Sequence, residues 1–188
     1  MNKRPIMPKD LYHYRSISQP VIHPNGQVAY VEQTIDRQKN EYNTRIRGIS
    51  LDGSNDDELT NGTKDTAPSW TPDGTRLAFL RLEEGGKGLW ILASGEDEPV
   101  NLIPSDRKIL DYAWSPDGQY VAFTSKVQIK GAGDKDEPKN ETASKLRGKV
   151  YERTTPKAEG SGWWDGLYSH LFVYEVGSGE ITSVTTGP

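Results

Sequence analysis

The sequence predicts an all-β chain: three four-stranded antiparallel blades of an incomplete β-propeller, with an insertion in the third blade. Three observations predict it. One phrase recurs three times, as Ile22-His23-Pro24-Asn25-Gly26-Gln27-Val28-Ala29-Tyr30, as Trp70-Thr71-Pro72-Asp73-Gly74-Thr75-Arg76-Leu77-Ala78-Phe79, and as Trp114-Ser115-Pro116-Asp117-Gly118-Gln119-Tyr120-Val121-Ala122-Phe123. Its prolines stand at positions 24, 72 and 116. A second phrase alternates with it: a short apolar strand, a Gly-containing turn, then a polar residue beside Leu, Val or Thr. Four short strands repeating at roughly 40–45 residues are the mark of propeller blades.

The elements follow in order. Pro8-Lys9-Asp10-Leu11-Tyr12-His13-Tyr14 suits one short helical turn, with Asp10 near its start. The first phrase is a type I turn between two antiparallel strands. Proline fixes φ at its second position, Asp or Asn tolerates the third, and Gly takes the left-handed fourth. The second phrase supplies the outer strands: Ile46 to Leu51 with Leu59-Thr60, Leu89 to Ala93 with Asn101-Leu102, and Leu171 to Val176 with Val184-Thr185. The blades then span about 19–60, 65–103 and 109–186, and together make one partial propeller domain over 1–188. Residues 126–167 interrupt the third blade between its second and third strands. Within them Gly131 to Asn140 has no apolar side chain larger than that of Ala132, so high mobility is expected there.

Composition narrows the function classes. The 188 residues carry 27 acidic and 23 basic side chains, a net charge of −4. That argues against nucleic acid as a partner, since phosphate binders concentrate positive charge. There is no cysteine, which excludes disulfides, thiolate zinc sites and a thiol nucleophile. The longest apolar run, Leu89 to Ala93, is far short of a membrane span. The N-terminus lacks the apolar core of a signal peptide. No membrane partner and a cytoplasmic location are expected.

Catalytic and metal motifs are missing. No window reads Gly-x-Ser-x-Gly, so there is no nucleophile elbow. His23 occupies the turn position that Thr71 and Ser115 fill in the other repeats and reads as a turn residue. His170 precedes a strand and has no second ligand at metal spacing, so a structural hydrogen bond is expected of it. Gly86-Lys87-Gly88 lacks the P-loop Ser or Thr, and Asp52 to Glu58 does not fit a calcium loop. Neither cofactor nor metal is expected. Trp70 and Trp114 hold one place in successive repeats and are expected to fill the wedges between blades. Trp163 and Trp164 lie in the insertion, where packing against the blade is favoured over lining a binding surface.

Several of these residues carry a resemblance. Pro8-Lys9-Asp10-Leu11-Tyr12, Asn40-Glu41-Tyr42, Ala67 to Gly74, Ala113 to Gly118, and in the insertion Arg147-Gly148-Lys149-Val150-Tyr151 and Asp165-Gly166 ahead of His170-Leu171-Phe172-Val173 are similar to the N-terminal propeller of the prolyl oligopeptidase family of serine peptidases. The bacterial acylaminoacyl-peptidase-like branch is the most similar. The resemblance implies a two-part enzyme, in which a propeller caps a C-terminal α/β-hydrolase domain and restricts its Ser-Asp-His triad to short peptides. That domain is absent from this chain, and no triad residue carries over to any position here. The expected role is gating without chemistry, with Trp163, Trp164, Asp165, Tyr168 and His170 as candidate gating or interface residues. The alternative is a TolB-like interaction propeller with no enzymatic activity. A three-bladed arc also leaves two raw sheet faces, and self-association through them is expected. Residues such as Ile22 and Tyr30 would serve at one end, and Trp114, Phe123 and Phe172 at the other, the sequence leaving open which of them lies at an exposed face.

Overall fold

The computed structural model describes residues 4–128, 157–158, 162–163 and 167–187. Three four-stranded antiparallel sheets follow one another along the chain, each a meander. The first blade is β1 (Ser16–Ile22), β2 (Gln27–Asp36), β3 (Glu41–Ser50) and β4 (Asp57–Glu58). The second is β5 (Asp65–Trp70), β6 (Arg76–Glu83), β7 (Gly86–Ala93) and β8 (Val100–Ile103). The third is β9 (Ile109–Trp114), β10 (Tyr120–Gln128), β13 (Leu167–Glu175) and β14 (Ile181–Ser183). Between β10 and β13 lies a small hairpin, β11 (Lys157–Ala158) paired with β12 (Gly162–Trp163). Pro8–His13 is a 3-10 helix, and the Asp10 carboxylate accepts the Met7 N–H at 2.8 Å. Gly131 to Asn140 lies outside the described residues.

The repeated turns behave as their chemistry requires. Gly26, Gly74 and Gly118 each donate to the carbonyl three residues earlier, at 2.8, 2.8 and 2.9 Å. Their φ values of +92°, +69° and +71° are those that favour glycine. In the second turn the Asp73 carboxylate accepts from the Thr71 hydroxyl at 2.6 Å and the Thr75 N–H at 3.1 Å. Ser115, Asp117 and Gln119 repeat this in the third. These donors, the Thr71 hydroxyl first, hold the Asp73 carboxyl down at about 2. Because the folded value is depressed, its stabilising effect is complete above the ordinary carboxylate range and is lost as pH falls through about 2. Side-chain carboxyl NMR is expected to show Asp73 titrating near that value, and moving upward in Thr71→Val.

Alternation along the strands builds two seams. Ala29, Val31 and Ile46 of the first blade pack against Leu77, Phe79 and Leu92 of the second, with Trp70 and Trp90 alongside. The other face of the second blade, Ala78, Leu80, Leu89 and Ile103, packs against Val121, Phe123 and Tyr174 of the third, with Trp114 and Phe172 alongside. Trp70 and Trp114 therefore do fill the wedges. The assignment of raw faces needs correction. Phe123 is 1% exposed and stacks on Phe172 at 5.3 Å inside the second seam, because its strand position faces the preceding blade. Trp114 faces the same way. Tyr30 is buried as well, and its hydroxyl donates to Asp56, which Arg47 also holds. Only Ile22 of that set is strongly exposed, at 69%.

The first strands approach one another at the seams and are tied through bulges. β1 slips between Ser18 and Val21, and β5 between Thr66 and Ser69. The second slip turns the peptide groups of Ala67 outward from the ladder. The Ala67 N–H donates to the Gln19 side chain of the first blade at 2.7 Å, and its carbonyl accepts the Tyr112 hydroxyl of the third at 2.8 Å. One residue thus bonds to all three blades. Burial pushes the Tyr112 phenol well above its ordinary range. Tyr112→Phe strands the carbonyl and is expected to lose about 1–2 kcal/mol, read as a lower urea midpoint with an unchanged m-value.

In the first and third blades the fourth strand ends just before the Leu-Thr or Val-Thr pair, and a threonine completes its ladder. Beyond β4, Leu59 N–H donates to Ile46 O while Thr60 Oγ1 accepts Ile46 N–H at 3.2 Å. Beyond β14, Val184 N–H donates to Leu171 O while Thr185 Oγ1 accepts Leu171 N–H at 2.9 Å. The hydroxyl substitutes for a ladder carbonyl, which explains why the second phrase ends on Leu-Thr or Val-Thr.

Candidate functional site

The meander places the insertion. First-to-second and third-to-fourth strand turns fall on one face, and second-to-third turns on the other. The last rung of the third blade pairs Gln128 with Leu167, and this rung, the root of the insertion, lies on the face of the β2–β3 and β6–β7 turns. Tyr168 and His170 lie just above this root. They share one side of β13 with Phe172 and Tyr174, and that side faces the second blade. His170 is buried, and its Nδ1–H donates to the Thr185 carbonyl at 2.8 Å. That bond clamps the end of the blade, as expected of a structural histidine. Trp163 belongs to β12, opposite Lys157. Trp164 and Asp165 lie outside the described residues. Next to the root, Asp106, Arg107, Phe123, Ser125 and Phe172 line a cavity of about 130 Å³.

His23 does more than fill its turn. Its Nδ1 accepts the Asn25 N–H at 3.0 Å and its Nε2–H donates to the Gly74 carbonyl at 2.6 Å. The ring meets Trp70 edge-on at 4.5 Å. The first turn is thereby fastened to the second across the seam, a job that neither Thr71 nor Ser115 has the reach to do.

Sequence reasoning missed one buried pair. The Asp65 carboxylate is fully buried and receives Arg81 Nε–H at 2.8 Å and an Nη2–H at 3.0 Å. The guanidinium lies over the rings of Phe79 and Trp90, at 5.2 and 5.1 Å. Gly62 abuts the carboxylate so closely that a Cβ would stand 2.4 Å from it. The hydrogen bonds from Arg81 to Asp65, more than any other contact, raise the pKa of the arginine. Both carboxylate oxygens are held by the one guanidinium, so the pair fixes the start of the second blade and offers no free acid. Its only sequence signal is the opposition of positions 65 and 81 across a bulged hairpin.

A cavity lies between the first two blades. It measures about 480 Å³ and is lined by Glu58, Leu59, Trp70, Leu77, Leu92 and the Ser94–Glu98 loop, among others. Among the described residues no group of three or more His, Asp or Glu side chains is placed to hold a metal. No helix there is long and apolar enough to cross a membrane.

Comparisons with known proteins place this architecture. No family model matches the chain. It is 29% identical over 191 residues to the uncharacterized peptidase YuxL of Bacillus subtilis, covering 98% of this chain and 28% of that protein. It is 32% identical over 165 residues to dipeptidyl-peptidase 5 of Porphyromonas endodontalis, covering 85% of this chain and 23% of that protein. A shorter match, 39% over 61 residues, is to TolB of Alcanivorax borkumensis, covering 31% of this chain and 14% of that one. Among solved structures, the acylaminoacyl peptidase of Pyrococcus horikoshii superposes with a TM-score of 0.69 at 17% identity, over 92% of this chain and 25% of that one. The chain thus spans about a quarter of the peptidases it matches. These residues are a β-propeller portion of the kind carried by peptidases of the prolyl oligopeptidase family.

Proposed function

We propose that the chain is the non-catalytic, access-restricting part of an acylaminoacyl-peptidase-like serine peptidase, gating short peptides toward an α/β-hydrolase domain outside these 188 residues. The observation that carries this reading is the match along 98% of the chain to a peptidase of which it spans only 28%. The hydrolase domain is its principal partner. The root of the insertion, with Tyr168 and His170, is the candidate contact region. The TolB-like reading draws on the shorter match, which covers 31% of the chain, whereas the peptidase matches also extend beyond it.

The test has two arms. The isolated chain is expected to turn over no acyl-peptide substrate and to take no label from a serine-directed fluorophosphonate. In the peptidase that carries this propeller, the intact enzyme is expected to exclude casein, and removing residues 1–188 is expected to open the active site to it. Labelling that disappears when one serine of this chain is mutated overturns the first arm. Unchanged exclusion of casein overturns the second. Studied alone, the chain presents Ile17 and Ile22, 67% and 69% exposed, on the first blade. It is therefore expected to self-associate, with light scattering giving a mass above 21.0 kDa that rises with concentration.

A further inference from the structure

The cleft between the first and second blades has a local cause. Ser94 N–H donates to Thr75 O as Val176 N–H donates to Gln119 O, at 3.1 and 2.9 Å. Ser94 therefore stands where Val176 stands one blade later. Leu92, paired with Leu77, likewise stands where Tyr174, paired with Val121, stands. In the second seam Tyr174, Val176 and Ile181 pack into the core. In the first seam the smaller Leu92 and the polar Ser94 leave that space open, as a cleft of about 480 Å³.

Its lining is two-sided in chemistry. Leu59, Trp70, Leu77 and Leu92 form an apolar floor, and Glu58, Glu96, Asp97 and Glu98 stand at the rim. Glu58 is paired with Arg45. Glu96, Asp97 and Glu98 form no ion pair with any described residue. A bare metal ion would leave the floor unused, and a wholly apolar partner would make no use of the three exposed rim carboxylates. An arginine answers both demands: its methylene stem covers apolar surface while its guanidinium stays at the charged edge. The volume lies within the range typical of binding clefts and has room for a neighbouring side chain.

We propose that this cleft binds an arginine-bearing peptide segment of a partner protein, with the arginine stem and an adjacent apolar residue on Trp70, Leu77 and Leu92 and the guanidinium against Glu96, Asp97 and Glu98. The site does not depend on the peptidase reading, because every residue in it belongs to this chain and none takes part in the proposed gating.

The experiment follows the amide and indole NMR signals of the 188-residue chain while the peptide acetyl-Ala-Leu-Arg-Lys-Ala-amide is added. Saturable shifts are expected at the Trp70 indole and the 92–98 amides, weakening as salt screens the carboxylates. Two variants separate rim from floor. The triple change Glu96→Gln, Asp97→Asn, Glu98→Gln is expected to weaken binding at least tenfold. Ser94→Val, which restores the filling side chain of the second seam, is expected to do the same with the acidic loop intact. Unchanged spectra elsewhere in each variant report that the fold is preserved. Binding to either variant as tight as to the unaltered chain, shifts confined to another surface, or no shift at millimolar peptide overturns the proposal. So does equal affinity for a peptide with citrulline in place of arginine, or calcium chloride alone shifting the same amides and displacing the peptide.

Discussion

Asp65→Ala is expected to destabilise the chain by about 3–5 kcal/mol, because removing one member of a buried ion pair leaves the other charge without compensation. The carboxylate is wholly buried and takes two hydrogen bonds from one guanidinium. The ring faces of Phe79 and Trp90 hold that guanidinium in place, so it has little freedom to swing out and hydrate. A double-mutant cycle separates the pair from its surroundings. Arg81→Met added to Asp65→Ala is expected to recover more than about 1 kcal/mol, since an apolar replacement of both partners is often neutral. The measurement is urea unfolding followed by far-UV circular dichroism. A loss below about 1 kcal/mol for Asp65→Ala would show the pair to be hydrated and energetically slight.

Phe123→Ala is expected to cost a similar amount, about 3–5 kcal/mol, by a different route. The ring is buried in the second seam between Phe172 and the facing residues of the second blade. Truncation loses its transfer from water, its stacking partner and the packing of the wall around it. The damage should be local in a way that hydrogen exchange reads directly. Amides of β9, β10 and β13 are expected to lose protection, while β2 and β3 of the first blade keep theirs. Uniform loss across all three blades would mean that the seams do not open separately.

The parts of the fold that sequence exposes are those decided by neighbours in the chain. The Pro-Asp-Gly turns are local chemistry, from the proline that sets φ to the carboxylate that collects nearby N–H groups, and they are legible from four or five residues. Trp70 and Trp114 are legible because the repeat assigns them one environment. The face on which Phe123 lies is not legible, because alternation gives two sides to a strand and does not say which side meets the next blade. Asp65 and Arg81 meet only through a hairpin whose bulge shifts the register by an amount that sequence does not reveal. The cleft is an absence of side-chain volume at positions 92 and 94. It becomes visible only when β7 is aligned with β13, and the long insertion conceals that alignment.

The insertion also sets a timetable. Within the second blade the β6–β7 connection is only Glu84 and Gly85, whereas residues 129–166 separate β10 from β13. Closing a loop of about forty residues instead of two adds about 2–3 kcal/mol of chain entropy, so the third blade has the costliest sheet to zip. On a ribosome adding about 5–20 residues per second, β13 emerges about two to eight seconds after β10. Through that interval the first two blades can already be joined, while Ala78, Leu80, Leu89 and Ile103 wait for Phe172 and Tyr174. A nascent chain held in this state offers an apolar sheet face to whatever it meets first, so its yield in a cell is expected to depend on chaperone capacity more than its final stability suggests.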